Sequence, residues 1–105
     1  MISARLKSQL PLLQFLCDPL TTRATVNLLL NRAGRNLILS IGEIILNSDR
    51  GKVPKIVREQ LTKSSGQLQS KRKLLRAHWK AICGVIRPIL TKLQNETGIS
   101  AKGDN

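Results

Sequence analysis

The sequence predicts an all-α protein, a compact bundle of four to six short helices with a longer basic amphipathic helix near the C-terminus. Apolar residues recur at helical spacing along the chain, and no alternating strand pattern competes with them. The only aromatic residues are Phe15 and Trp79, so the core must be built from leucine, isoleucine and valine. At 105 residues the chain is long enough for one small domain, which we expect over residues 1–95, followed by a flexible tail at 96–105.

Two helices are predicted in the first third of the chain. Pro11 lies inside the first apolar pattern, and proline suits the first turn of a helix better than its interior. We therefore expect an extended or frayed start and then a short helix from about Pro11 to Cys17. A second helix is expected over about 22–32, with Thr21 or Thr22 as its N-terminal cap.

The third helix has a wide apolar face and should be the most buried element. Asn36 can cap its start. Gly42 favours a close approach of another helix, because glycine otherwise costs about 1 kcal/mol of helix propensity relative to alanine. Glu43 is either the partner of a buried arginine or an edge residue. The apolar face comprises Leu37, Ile38, Ile41, Ile44 and Ile45.

The second half of the chain predicts two further helices. Pro54 should open the fourth, after a turn in which Gly51 is a candidate left-handed residue. Residues 63–66, KSSG, mark either a break between helices or a soft spot within one. Residues 70–90, SKRKLLRAHWKAICGVIRPIL, predict the long basic helix, with a kink or break around 84–88 because a proline there meets the carbonyl four residues earlier.

Projection at 100° per residue separates the charges of this basic helix from its apolar residues. A seam that should face the core or a partner helix comprises Leu75, Trp79, Ile82, Ile86, Ile89 and Leu93. Four cations share another face, about 130° from the seam by the same step: Lys73, Arg76, Lys80 and Arg87. Because Trp79 belongs to the seam, packing is favoured over stacking on a base. His78 beside it is interpreted as a structural residue.

The formal net charge of +12, from 18 basic and six acidic residues, indicates a polyanionic partner. Nucleic acid, an acidic lipid surface and an acidic protein are the candidates. Nucleic acid is favoured, DNA over RNA, with binding through phosphates and little sequence preference, because few asparagine or glutamine residues accompany the arginines. The predicted binding residues are Lys71, Arg72, Lys73, Arg76, Lys80 and Arg87, with a second region of Arg32, Arg35, Arg50, Lys52, Lys55 and Arg58.

Motifs for other functions are missing from the sequence. There is no Ser/His/Asp set, no pair of carboxylates on one helix and no glycine-rich phosphate loop, so a non-enzymatic protein without a cofactor is expected. Cys17, Cys83 and His78 are too few for a zinc site, and the cysteines are interpreted as buried thiols in a reducing compartment.

No secretory signal is visible, and the apolar stretches are shorter than a bilayer span. We therefore expect an intracellular, nuclear or virion-associated protein. Two alternative functions stay open at this point. One is a structural module that forms homo-oligomers or binds a virion partner protein, and the other is a protein that acts at a membrane interface.

Three stretches of the chain also match a group of known sequences. They read LLQFLCDP, SIGEIILNSDRGKVP and KRKLLRAHWKAICGVIRPILTKL, and they lie within about residues 10–93. The middle stretch fits the pattern E-I-x-x-N-x-x-x-G-x-V/I-P from Glu43 to Pro54, and the last fits K-R-x-L-L from Lys71 to Leu75. This order resembles the short basic reading frames of Polinton-like and adintovirus-like double-stranded DNA elements in animal genomes. The resemblance implies a virus-derived accessory protein, such as a small virion core or DNA-packaging component.

Overall fold

The computed structural model describes residues 2–97, and the side chains as far as residue 95. Six α-helices occupy this range: α1 (Ala4–Cys17), α2 (Arg23–Asn31), α3 (Arg35–Leu46), α4 (Lys55–Leu61), α5 (Leu68–Ala77) and α6 (Trp79–Thr97). The predicted all-α bundle with a longer basic helix near the C-terminus is confirmed. Helix α6 continues two residues past the predicted domain end at residue 95. The rest of the predicted tail, residues 98–105, lies outside the described residues.

Helix α3 lies at the centre of the bundle. It packs against α1, α4, α5 and α6, while α2 packs on α5 and α1 packs on α6. Every residue of its predicted apolar face is buried, and so are Leu6, Leu10, Leu13 and Leu16 of α1. The predicted seam is also confirmed, since all its members are buried except Ile89, which is half-buried and packs against the core. The core is therefore aliphatic, as the composition requires.

The close approach predicted at Gly42 occurs between α3 and α4. A Cβ atom built on Gly42 would lie 2.2 Å from the carbonyl oxygen of Leu61, the last residue of α4. Real Cβ atoms do not come this close to backbone, so only glycine fits at this crossing. The short helix α4 is thereby seated directly on the central helix.

Helix α1 begins at Ala4, well before Pro11, so the predicted extended or frayed start is wrong. The Ser3 hydroxyl caps the helix, accepting a hydrogen bond from the Leu6 N–H at 3.0 Å and donating to Glu43 Oε1 at 2.6 Å. Burial of Leu6 and Leu10 holds the first turns against the core, which outweighs the hydrogen bond that proline removes. Glu43 is thus an edge residue whose carboxylate lies at the N-terminus of α1, where the helix dipole favours negative charge.

The basic segment forms two helices that meet at His78, and α6 is continuous through 84–88, so the predicted break there is wrong. His78 ends α5 with φ −120° and ψ 24°, and α6 then runs through Pro88 to Thr97. Apart from α3, which both contact, the two helices have different neighbours: α5 packs on α2 and α4, whereas α6 packs on α1. A change of direction at His78 allows both sets of contacts. Pro88 and Gly84 are exposed, so the carbonyl that loses its helical donor is on the solvent side.

The connections between helices follow several of the sequence signals. The Thr22 hydroxyl caps α2, accepting from a first-turn N–H at 3.2 Å. Gly34 takes the cap position of α3 that was expected at Asn36. Gly51 has a φ of 93°, as predicted for a left-handed residue, and residues 63–66 separate α4 from α5. Within residues 2–97, none of the helices is long and apolar enough to cross a bilayer.

Candidate nucleic-acid interface

Cationic side chains from elsewhere in the fold donate hydrogen bonds to backbone carbonyls at the C-terminal ends of α1 and α5 and in the connections that follow α2, α3 and α4. The last carbonyls of a helix have no partner within it, and the helix dipole places partial negative charge there. With the donor first, the arginine pairs are Arg87 Nε and Cys17 O (3.0 Å), Arg72 Nε and Ala33 O (2.7 Å), Arg58 Nη2 and Ser48 O (3.1 Å), Arg35 Nη1 and Ser64 O (3.0 Å), and Arg23 Nη2 and Arg76 O (3.2 Å).

The acceptors in these pairs are neutral, and this has two consequences for the cations. A carbonyl orients the guanidinium without cancelling its positive charge, whereas a carboxylate would cancel it. Each guanidinium also has five N–H donors, so one carbonyl contact leaves most of them for another acceptor. Arg76 also has a neutral acceptor, since its Nη1 donates to the side-chain amide oxygen of Asn31 at 2.5 Å.

Lys71 does not fit its predicted role in binding. Its side chain is only 2% exposed, and its Nζ donates to the carbonyl of Lys63 just beyond the end of α4. Burial lowers the pKa of this lysine, and the nearby charges of Arg35 and Lys63 lower it further. Lys71 borders the same groove as Lys73, but its ammonium is engaged by the Lys63 carbonyl and little of its side chain is exposed. Lys71 is therefore a structural residue that holds the connection between α4 and α5.

The four cations of the predicted row do not share one surface, because the row is divided by the break at His78. Lys73, on α5, borders a groove with Ile56 and Gln60. Lys80 and Arg87, on α6, border a different groove. Arg72 and Arg76 are half-buried through their contacts with the end of α2. The structure thus brings Lys80 and Arg87 together and separates them from Lys73.

The groove that contains Lys80 and Arg87, hereafter the α6 groove, has a volume of about 250 Å³ and lies between the α1–α2 connection and α6. Its lining residues are Leu16, Asp18, Pro19, Thr21, Arg23, Val26, Trp79, Lys80, Cys83 and Arg87. Arg23 is absent from the residues predicted for binding, since it belongs to no row. One signal could have indicated it: Arg23 is the first residue of α2, where the helix dipole disfavours a cation. In the structure Arg23 donates to the carbonyl of Arg76 at the end of α5.

The second predicted region is spread over several connections. Arg32 and Arg35 are exposed and border a groove at the α2–α3 turn. Lys52 borders another groove beside α6, and Arg50 is exposed on the same α3–α4 connection. Arg58 is half-buried, and its guanidinium donates to the carbonyls of Ser48 and Asp49 in this connection. Lys55 is exposed at the start of α4. None of the described grooves gathers these residues as the α6 groove gathers its three cations.

Trp79 and the two cysteines belong to the core. Trp79 is 4% exposed, which fits the packing role expected for it. Cys17 and Cys83 are buried free thiols, and burial, a hydrogen bond from the Cys17 thiol to Cys83 and the charge interaction with Cys83 raise the pKa of the Cys17 thiol. What the surface offers a ligand is thus a set of oriented, uncancelled positive charges. No protein-family model, curated protein or solved structure matches this chain.

Proposed function

We propose that this protein is a non-enzymatic nucleic-acid-binding protein that contacts the phosphate backbone with little sequence preference. The observation that carries the proposal is the pairing of arginines with neutral carbonyls. A net charge of +12 remains on a small domain, and several of its guanidiniums are already fixed in orientation. A polyanion relieves this self-repulsion at little cost in side-chain order.

Exposed cations outside these pairs add to the attraction. They include Arg32, Arg50, Lys52, Lys55, Lys73 and Lys80. Because they lie on different connections and helices, they would attract a polyanion over much of the surface before it docks. This distribution favours backbone contacts, which carry no sequence information, over readout of base edges.

The biological setting proposed here follows the resemblance to Polinton-like elements. A small basic protein of such an element would neutralise DNA in a virion core or during packaging, in the nucleus or the virion. The double-stranded DNA of those elements is also the reason to favour DNA over RNA. This origin stays a prediction, and the test below does not depend on it.

The test is a titration of the purified protein with duplex DNA and duplex RNA of equal length over a range of salt concentrations. We expect binding at low ionic strength and a linear fall of log K with log salt, with a slope of about −0.9 for each phosphate contacted on DNA. Failure of both nucleic acids to bind at low ionic strength would refute the proposal. Leakage of anionic vesicles without any nucleic-acid shift would instead support action at a membrane interface.

A structural interaction module is the second candidate, and exposed apolar side chains favour it. Leu20, in the α1–α2 connection, is 90% exposed, and Leu46 at the end of α3 is 64% exposed. Single exposed leucines are common on protein surfaces, so this observation weighs less than the charge. A concentration-dependent mass in sedimentation that is lost on replacing Leu20 and Leu46 by serine would support this candidate.

A further inference from the structure

We infer that the α6 groove is the principal phosphate contact of the protein, and that it takes the backbone of a double-stranded nucleic acid in preference to a single strand. This inference rests on the proposed function and deepens it. Its first basis is convergence, because Arg23 from α2 and Lys80 and Arg87 from α6 border the same groove. The sequence places Arg23 more than fifty residues from the other two.

The two arginines of the groove are held in place before any ligand arrives. Arg23 Nη2 donates to the Arg76 carbonyl at 3.2 Å, and Arg87 Nε donates to the Cys17 carbonyl at 3.0 Å. Each contact uses one N–H and leaves others on a charged group whose orientation is already set. Binding a phosphate here therefore orders little that is not ordered already. Lys80 is exposed and adds a third, adjustable charge.

One carboxylate also borders the groove and has to be included in the charge balance. Asp18 Oδ1 accepts a hydrogen bond from the Leu20 N–H at 2.8 Å, which turns the carboxylate toward its own connection. Three cations against one carboxylate leave the groove positive. The Asp18 carboxylate nevertheless repels an anion bound in the groove. Removing its charge should therefore strengthen binding, which is the opposite of the effect expected when a lysine charge is removed.

The absence of an accessible aromatic side chain in the groove selects the double strand. Proteins that prefer single strands stack bases on exposed aromatic rings. Trp79 is the only aromatic residue that lines the groove, and it is 4% exposed. Phe15, the only other aromatic residue of the chain, is not among the lining residues. A duplex also presents phosphates at higher density, with about one charge for every 1.7 Å of its axis.

The experiment compares Lys80→Gln with Lys92→Gln in duplex-DNA binding over a salt series. Both lysines are exposed on α6 and both changes remove one charge, but Lys92 borders a different groove that contains Glu43. Lys80 has no hydrogen bond within the described residues, so its variant should fold normally. We expect Lys80→Gln to reduce the salt slope by about 0.9 and Lys92→Gln to change it little. Asp18→Asn should tighten duplex binding, and a melting curve for each variant verifies folding.

Competition with a single strand of equal length tests the second part of the inference. We expect the duplex to displace the single strand from the wild-type protein. If the wild-type protein binds duplex DNA but Lys80→Gln and Lys92→Gln have equal effects, the α6 groove is not the principal phosphate contact. The proposed function would still stand. A preference for the single strand would overturn the duplex assignment alone. If the wild-type protein binds no nucleic acid at all, both the proposed function and the assignment of the α6 groove as a phosphate contact are refuted.

Discussion

The Nε of Arg87 lies 3.0 Å from the carbonyl oxygen of Cys17, so that a cation on α6 caps the C-terminal end of α1 across 70 residues of sequence. Arg72 Nε likewise donates to the carbonyl of Ala33, in the connection between α2 and α3. A chain with 18 basic and six acidic residues cannot balance its cations with carboxylates. Several of its arginines instead donate to backbone carbonyls, at the ends of α1 and α5 and in the connections that follow α2, α3 and α4. Basic residues therefore stabilise the fold and keep their charge for a partner.

Replacing Arg87 by methionine should destabilise the protein by about 1 kcal/mol, because the carbonyl of Cys17 loses its donor and the helix end loses a favourable charge. Lys80→Met is the matched control, since Lys80 is exposed and has no hydrogen bond within the described residues. Its effect should stay within about 0.5 kcal/mol. Urea unfolding followed by the fluorescence of the buried Trp79 measures both. Equal stabilities of the two variants would refute the capping role of Arg87.

Replacing Gly42 by alanine should have the opposite effect from replacing Gly84 by alanine, although both glycines lie inside helices. A Cβ on Gly42 would lie 2.2 Å from the Leu61 carbonyl oxygen, so α4 has to move away from α3. We expect a loss of at least about 2 kcal/mol from this disruption. A Cβ on Gly84 meets nothing within 4 Å, and the better helix propensity of alanine should stabilise α6 by about 0.5–1 kcal/mol. A stable, native-like Gly42→Ala variant would show that α3 and α4 are not in such close contact at Gly42.

The features that the sequence predicted correctly are those that depend on local periodicity. The buried face of α3 and the seam from Leu75 to Leu93 follow from apolar residues spaced at three or four positions, because burial selects one side of a helix wherever that helix lies. Gly42 was predictable for a similar reason. A glycine in a buried helix costs propensity, and a close contact is the usual compensation.

The features that were missed depend on contacts between distant parts of the chain. Pro11 disfavours the middle of a helix locally, but the burial of Leu6 and Leu10 outweighs that preference. The break at His78 is invisible in the sequence, because the apolar seam continues through it in register. No local signal separates Lys71, which is buried, from Lys73, which is exposed two residues later. The division of cations between capping and binding is therefore a property of the fold.

Lys71 should make the stability of the protein rise with pH in the alkaline range. Its pKa is lowered in the folded state, first by burial and then by Arg35 and Lys63, from its ordinary value of 10.5. Between the lowered value and 10.5 the unfolded chain binds more protons than the folded protein, so raising the pH favours folding. The free energy of unfolding of the wild-type protein should therefore rise relative to that of Lys71→Met, by up to about 1.4 kcal/mol per pH unit.

Urea unfolding of the wild-type protein, Lys71→Met and Lys71→Arg across this range measures the effect. Neither substituted side chain loses a proton there, since arginine stays charged. The difference between the two variants should therefore be independent of pH, even where other groups titrate. A free energy of unfolding of the wild type that stays constant or falls relative to that of Lys71→Met as pH rises would contradict the buried, charged position assigned to Lys71.

Cys17 should make the stability of the protein fall as pH rises, over part of the same alkaline range. Burial, the hydrogen bond from the Cys17 thiol to Cys83 and the charge interaction with Cys83 raise the pKa of the Cys17 thiol above 9.0, although the charge of Arg87 opposes them. Above about pH 9 the unfolded chain loses this proton while the folded protein keeps it, so raising the pH favours unfolding. Alanine at this position leaves a small cavity and lowers stability near neutral pH. The advantage of wild type over Cys17→Ala should then shrink above pH 9, by up to about 1.4 kcal/mol per pH unit.

Unfolding in urea under reducing conditions, with wild type and Cys17→Ala compared at each pH from 8 upward, measures this loss. The comparison within a pair removes the contribution of Lys71, because both proteins carry it. Thiol labelling gives a second readout, since Cys17 and Cys83 are 4% and 6% exposed and should react slowly until the protein unfolds. An advantage that persists or grows with pH, together with rapid labelling of the folded protein, would show that the thiol is open to solvent. The end of α1 would then be looser than its contact with Arg87 implies.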